Sequence, residues 1–138
     1  MIAALSLSQT LRAQLADEAR GAFPKECCGL IEGVRDGGTA HAIALHPAKN
    51  IAAASDRFEI DPAEHIRLLK ALRGTKRAVV GCYHSHPNGQ AEPSPRDLDH
   101  ASEEGFVWLI QPVTADGAGA PGAFVFAAQR FRPLALRP

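Results

Sequence analysis

The sequence predicts an α/β chain, a mixed β-sheet flanked by helices. Short apolar runs such as Ala78-Val-Val-Gly-Cys82 and Phe106-Val-Trp-Leu-Ile110 have the length and composition of buried strands. Two other segments, near the N-terminus and over 62–72, space their apolar residues as amphipathic helices do. Helices and strands intermix along the chain, so the helices are expected to pack on the sheet rather than in a bundle of their own. With 138 residues, 46% of them hydrophobic, and no stretch that reads as a linker, one domain over 1–138 around one core is expected.

The first helix is expected over 5–20, capped by Ser6 or Ser8, with Leu11, Leu15 and Ala19 as its apolar stripe and Gly21 as its end. A proline turn at Pro24 leads into a strand from Cys27 to Ile31. Asp36-Gly-Gly then turns the chain back into a second strand, His41 to Leu45, antiparallel to the first. Residues 46–56 lack a period and read as a connection, and Arg57–Ile60 has the composition of a short strand. Asp61 followed by Pro62 opens a helix to about Leu72, with Ile66, Leu69 and Leu72 inward and Gly74 as its stop. Arg77–Tyr83 is the central strand. A helix is expected over Ser94–Glu104, a strand over Phe106–Ile110, a flexible glycine-rich loop over 115–122, and closing strands over 122–128 and 131–136.

Composition narrows the function. A formal net charge of zero argues against nucleic acid and anionic membranes as partners. No apolar run has membrane-spanning length, and the N-terminus lacks a secretory signal. Three cysteines, two of them adjacent, do not form a disulfide framework, so a reducing cytoplasm is the expected location. Nothing in the sequence sets an oligomeric state.

The chemistry concentrates in Cys82-Tyr-His-Ser-His-Pro-Asn-Gly-Gln-Ala-Glu-Pro-Ser-Pro-Arg-Asp97. Alternate residues of a strand share a face, so His84 and His86 can converge, and Pro87 with Asn-Gly ends the strand at a cleft. Ser94 before Pro95 reads as a helix N-cap, which puts Asp97 in the first turn. Two imidazoles and a carboxylate form a three-ligand set of the catalytic-zinc kind, with a fourth position for water. On their own, the histidines also read as polar surface residues at a strand end. Hydrolysis needs a general base, and Glu26, between a proline turn and an apolar strand, is the best placed acid. Glu92 lies inside the loop and Glu103 and Glu104 at a helix end; the plainer reading of Glu26 is an exposed acid at a strand start. Ser94 is a cap, and a donor to a developing oxyanion is a second role open to it.

Glu26, His84-Ser-His86-Pro and Ser94-x-x-Asp97 together resemble the motif of the JAMM (MPN-plus) metalloproteases, with every signature position filled. Pro24–Gly33 and Arg57–Pro62 resemble its compact prokaryotic branch. The resemblance implies a cytidine-deaminase-like three-layer sandwich, Zn2+ held by His84, His86 and Asp97, Glu26 as general acid/base to a metal-activated water, and Ser94 stabilising the tetrahedral intermediate. It also implies a substrate: a ubiquitin-like or sulfur-carrier protein, cut by peptide or isopeptide hydrolysis after its Gly-Gly end. The alternative is a zinc-containing binding or assembly module of the same fold, of the phage-tail or DNA-repair-associated type. The intact ligand set argues against a non-catalytic scaffold, and the lack of Pro-Cys-x-x-Cys argues against a nucleoside deaminase. Ser85 and Asn50, in expected rim segments, are candidates to bind a substrate backbone. Cys82 shares the face of the histidines, as a buried filler or a competing ligand; Cys27 and Cys28 read as packing residues. His100 reads as a surface or satisfied histidine, with support of the metal site from three residues after Asp97 as a second reading.

Overall fold

The computed structural model describes all 138 residues. The run expected at the centre of the sheet is its middle: β4 (Ala78–His86) pairs parallel with β5 (Val107–Thr114) and antiparallel with β2 (Cys28–Asp36). The remaining elements are β1 (Ala4–Ser6), α1 (Gln9–Ala22), β3 (Thr39–Ala48), α2 (Pro62–Leu72), α3 (Pro95–His100), β6 (Gly117–Ala118), β7 (Gly122–Ala127), β8 (Arg130–Pro133) and β9 (Ala135–Arg137). The order across the sheet is β8-β7-β5-β4-β2-β3-β1-β9, with β6 on β5.

β8 and β9 stand at opposite ends of that order, yet only Leu134 separates them in the chain. The sheet therefore curls until its margins meet. Leu134 N–H donates to Ala123 O at 2.8 Å on one side, and Ala135 N–H donates to Ala3 O at 2.9 Å on the other. The face carrying α1 buries Leu5, Leu15, Ile31, Val80, Tyr83 and Leu109 in one apolar cluster. The opposite face buries Cys28, Leu30, Cys82, Trp108 and Phe126, with Leu68 and Leu72 of α2 against them. This is the expected mixed sheet between helical layers. No helix is long and apolar enough to cross a membrane.

Several boundaries differ from the sequence reading, each for a local reason. Residues 5–7 are not helical: Leu5 and Leu7 alternate with Ser6, and strand periodicity buries both leucines fully. Ser8 is the cap, its hydroxyl accepting from Leu11 N–H at 3.2 Å, and the helix passes through Gly21 to Ala22. In α2 the inward residues are Leu68 and Leu72, whereas Ile66 and Leu69 are 51% and 50% exposed. Four apolar residues there span more than one face, so spacing alone allowed two phases. Residues 57–60 make a single bridge, Asn50 with Ile60, and no strand. The helix after Ser94 ends at His100 rather than Glu104, because a turn closes on Gly105 and the Glu104 carboxylate accepts from Ala128 N–H. The loop over 115–122 contains β6, which pairs with the end of β5.

Gly81 on β4 has no room for a side chain: a Cβ there would strike the backbone of Val107 on β5. Backbone in the sheet's centre cannot retreat, so Gly81→Ala is expected to destabilise the fold by about 2–3 kcal/mol, read by urea unfolding.

Candidate metal centre

β4 carries the histidines to the edge of a cleft before Pro87. Their side chains share one face and meet: His84 Nε2 and His86 Nε2 stand 3.0 Å apart. α3 brings Asp97 to the same point, because Ser94 and Asp97 form a reciprocal cap. Ser94 Oγ accepts from Asp97 N–H at 3.1 Å and Asp97 Oδ2 accepts from Ser94 N–H at 2.8 Å. The cap aims the carboxylate, so that Oδ1 lies 3.1 Å from His84 Nε2 and Oδ2 lies 3.1 Å from His86 Nε2. All three side chains are buried. His86 Nδ1–H donates to Gln90 O at 3.1 Å, while His84 Nδ1 has no partner in the protein and its ring stacks on Phe58 at 4.2 Å between centroids.

This donor set fits a divalent metal. The bond to Gln90 leaves a neutral His86 with a lone pair on Nε2, facing a carboxylate, an arrangement that a cation between them resolves. Ligands of a tetrahedral zinc at about 2.0–2.1 Å lie about 3.3 Å apart, close to the separations here. The titrations show the same tension. Burial opposes the charge of Asp97, but the two imidazoles beside it outweigh that and hold the carboxyl well below its usual range. Burial pushes His84 down despite Asp97, whereas in His86 burial is overcome by Asp97 and the pKa rises.

Glu26 leaves the turn before β2 and enters the same cleft. That cleft, about 340 Å3, is lined by Pro24, Glu26, Ser55, Asp56, His86 and Ser94, among others. Glu26 is 7% exposed. Burial raises its carboxyl to about 7, with His86 working against the shift and Asp97 adding to it. A carboxyl with that midpoint can both take and return a proton near neutrality. Ser94 uses an oxygen lone pair for the cap, which leaves its hydroxyl proton free to donate into the cleft. Ser94→Ala is expected to destabilise α3 by about 1 kcal/mol, measured by thermal unfolding, and to lower turnover beyond what that loss explains.

Two expectations fail here. Ser85 is fully buried rather than on a rim, and its Oγ accepts from Cys27 N–H at 2.8 Å, so it does not meet a substrate. Asn50 spends its whole amide inside the protein. Nδ2 donates to Glu26 O at 3.0 Å and Arg57 O at 3.1 Å, and Oδ1 accepts from Ala52 N–H and Glu59 N–H, each at 3.0 Å. Cys82 packs in the core opposite α1, and burial pushes its thiol well up, as it does Cys27 to about 11 and Cys28 to about 12. None is an activated nucleophile. His100 sits beyond Phe58, ring centroids 6.2 Å apart, and hydrogen-bonds none of the three cluster residues. The sequence reading missed Phe58 as the ring behind His84, and the Asp56–Arg96 pair on the cleft wall; no local spacing marks either.

Residues 8–127 match the family model described as prokaryotic homologs of the JAB domain. The chain is 38% identical over 111 residues to a desampylase of Haloferax volcanii, covering 77% of this chain and 78% of that protein. It is 38% identical over 98 residues to a probable TtuB-protein conjugate cleaving protease of Thermus thermophilus, covering 69% and 59% respectively. A CysO-cysteine peptidase of Mycobacterium tuberculosis is 28% identical over 85 residues, covering 62% and 57%. Thus the chain spans under two thirds of the latter two proteins. Among solved structures, a Desulfitobacterium hafniense protein aligns with a TM-score of 0.83 and 26% identity over 96% of this chain and 90% of that one. A JAB1/MPN domain protein from Archaeoglobus fulgidus has a TM-score of 0.60 at 18% identity, over 98% and 99%, and so speaks for the fold alone. With a curled mixed sheet, a buried His-His-Asp cluster and a match over most of its length, the chain belongs to the family of prokaryotic homologs of the JAB domain.

Proposed function

We propose that this chain is a zinc-dependent peptidase or isopeptidase that cuts after the Gly-Gly end of a ubiquitin-like or sulfur-carrier protein. Its hydrolytic class rests on relatives named as a desampylase and as peptidases. The observation that carries the reading is one cleft holding His86 of the buried His-His-Asp cluster, an acid with a midpoint of about 7, and a serine with a free hydroxyl proton.

His84, His86 and Asp97 would hold the metal. Zinc bound there supplies a Lewis acid that makes water nucleophilic near neutrality and polarises a carbonyl. Glu26 takes the proton of the attacking water as the new carbon–oxygen bond forms, and delivers it to the leaving amine as the carbon–nitrogen bond breaks. The Ser94 hydroxyl donates to the carbonyl oxygen as it gains charge. Beside Glu26 a groove runs between Ala22, Ala48 and Ala52–Ala54. Such small walls suit an extended tail without bulky side chains, and this groove is our candidate path for a Gly-Gly end.

The test is intact-mass analysis of Gly-Gly-ended carrier proteins bearing C-terminal extensions, incubated with zinc-loaded protein. Cleavage immediately after Gly-Gly, abolished by a chelator and restored by zinc, is expected. A protein with verified metal that cleaves nothing across ubiquitin-like and sulfur-carrier substrates overturns the substrate assignment.

A further inference from the structure

We infer that Asn50 is a positioning residue for Glu26, linking the base to the loop that walls the cleft; this rests on the reading of Glu26 as the proton carrier. The peptide after Glu26 is gripped from two sides. Asn50 Nδ2 donates to Glu26 O at 3.0 Å, and Ser85 receives Cys27 N–H at 2.8 Å while its own N–H donates to Cys27 O at 3.1 Å. These bonds set the backbone position from which the carboxylate reaches into the cleft.

Asn50 differs from Ser85 in what lies at its other end. Its remaining three bonds go to Arg57 O, Ala52 N–H and Glu59 N–H. They close the loop over 51–59, whose Ser55 and Asp56 line the cleft opposite His86 and Ser94. The loop is tied to α3 through Asp56 and Arg96. One side-chain amide therefore sits where the base, the cleft wall and the metal-bearing helix are joined, with both donor hydrogens and both acceptor sites in use.

The division of its bonds allows a clean separation. Asn50→Asp keeps the acceptor that holds Ala52 and Glu59 but removes both donors, and it sets a carboxylate oxygen against Glu26 O and Arg57 O. The two bonds that hold Ala52 and Glu59 survive, while the grip on Glu26 and the loop's bond to Arg57 O are lost. A displacement of the base on the order of 1 Å lowers turnover by about 10- to 100-fold. Asn50→Asp is thus expected to lower kcat by that factor, with KM within about threefold and metal content unchanged. In a Glu26→Gln background it should lower the residual rate by less than about twofold, because a residue that acts through the base has nothing left to position.

Amide hydrogen exchange gives a readout that needs no substrate. The Cys27 N–H is held by Ser85 Oγ, in the peptide unit that Asn50 grips through Glu26 O. In Asn50→Asp its exchange should speed up at least about tenfold as that unit loosens, while Ala52 and Glu59 remain protected; Asn50→Ala should expose Ala52 and Glu59 as well. Wild-type kcat in Asn50→Asp, multiplying losses in the double variant, or unchanged protection at Cys27 would each overturn the inference. Full turnover by Glu26→Gln would instead overturn the assignment of the base. The exchange at Cys27 would then still report whether Asn50 holds the segment.

Discussion

Glu26→Gln is expected to retain its metal and lose about 10²- to 10⁴-fold in kcat, since the amide preserves shape but cannot accept the proton. Metal analysis beside steady-state rates checks both halves, and normal hydrolysis by the variant would show that another acid does the work. The same substitution should act on stability in the opposite sense. Burial raises the Glu26 carboxyl from 4.5 to about 7 in the metal-free protein. The folded state thus holds the proton more tightly than the unfolded chain does. Glu26's contribution to stability is full below about 4.5 and lost as the pH rises through about 7. Glutamine has no charge to bury, so at pH 8 the metal-free variant should exceed wild type by on the order of 1–3 kcal/mol, and at pH 4 the two should agree. Thermal unfolding at the two pH values decides this. For turnover the sign reverses, because the base must be ionised: kcat/KM should fall about tenfold per pH unit on its acid limb. A bound dication draws that limb below about 7, and the displacement itself reports the metal's proximity.

Asp97→Ala is expected to lower metal affinity by at least about 100-fold and to destabilise the metal-free protein by about 2–4 kcal/mol. Three losses coincide at this one residue. Both histidines lose their carboxylate partner, and α3 loses the half of its capping box that holds Ser94 N–H. The pH dependence follows from the depressed carboxyl. Its contribution is present above the unfolded midpoint of about 3.9 and disappears as pH falls through the lower folded value, so wild type and variant should converge in acid. Metal content after dialysis against a competing chelator, with unfolding curves at neutral and acid pH, tests both effects. Full metal occupancy in the purified variant would remove Asp97 from the ligand set. Asp97→Asn separates the roles, since its carbonyl oxygen can still accept from Ser94 N–H while the charge is gone.

The site was more legible in the sequence than the fold around it. His84, His86, Ser94 and Asp97 lie within 14 residues, and their relations follow from strand alternation and N-cap geometry, which are local rules. The errors fell where neighbours decide. Leu5-Ser-Leu7 reads as a helix start until β3 and β9 pair with β1 on either side. Ile66 and Leu69 read as inward until Leu68 and Leu72 take the sheet face of α2. Ser85 and Asn50 read as rim residues until Cys27, Glu26 and the loop over 51–59 supply the donors and acceptors that occupy their side chains.

What the amino-acid order determined by itself was the set of chemical groups and their local presentation: two imidazoles on one strand face, a carboxylate in a capped first turn, an acid before a buried strand. Those depend on bonds within a few residues and on side-chain periodicity. Only the tertiary structure decided that Glu26 belongs to them. The acid lies 58 residues from His84, and it reaches the cleft because β2 pairs with β4 in a register that sets Cys28 opposite His84. The same packing buries the carboxyl, and this burial raises its midpoint to about 7. Long-range pairing and desolvation are sums over many distant contacts, and no short stretch of sequence contains them.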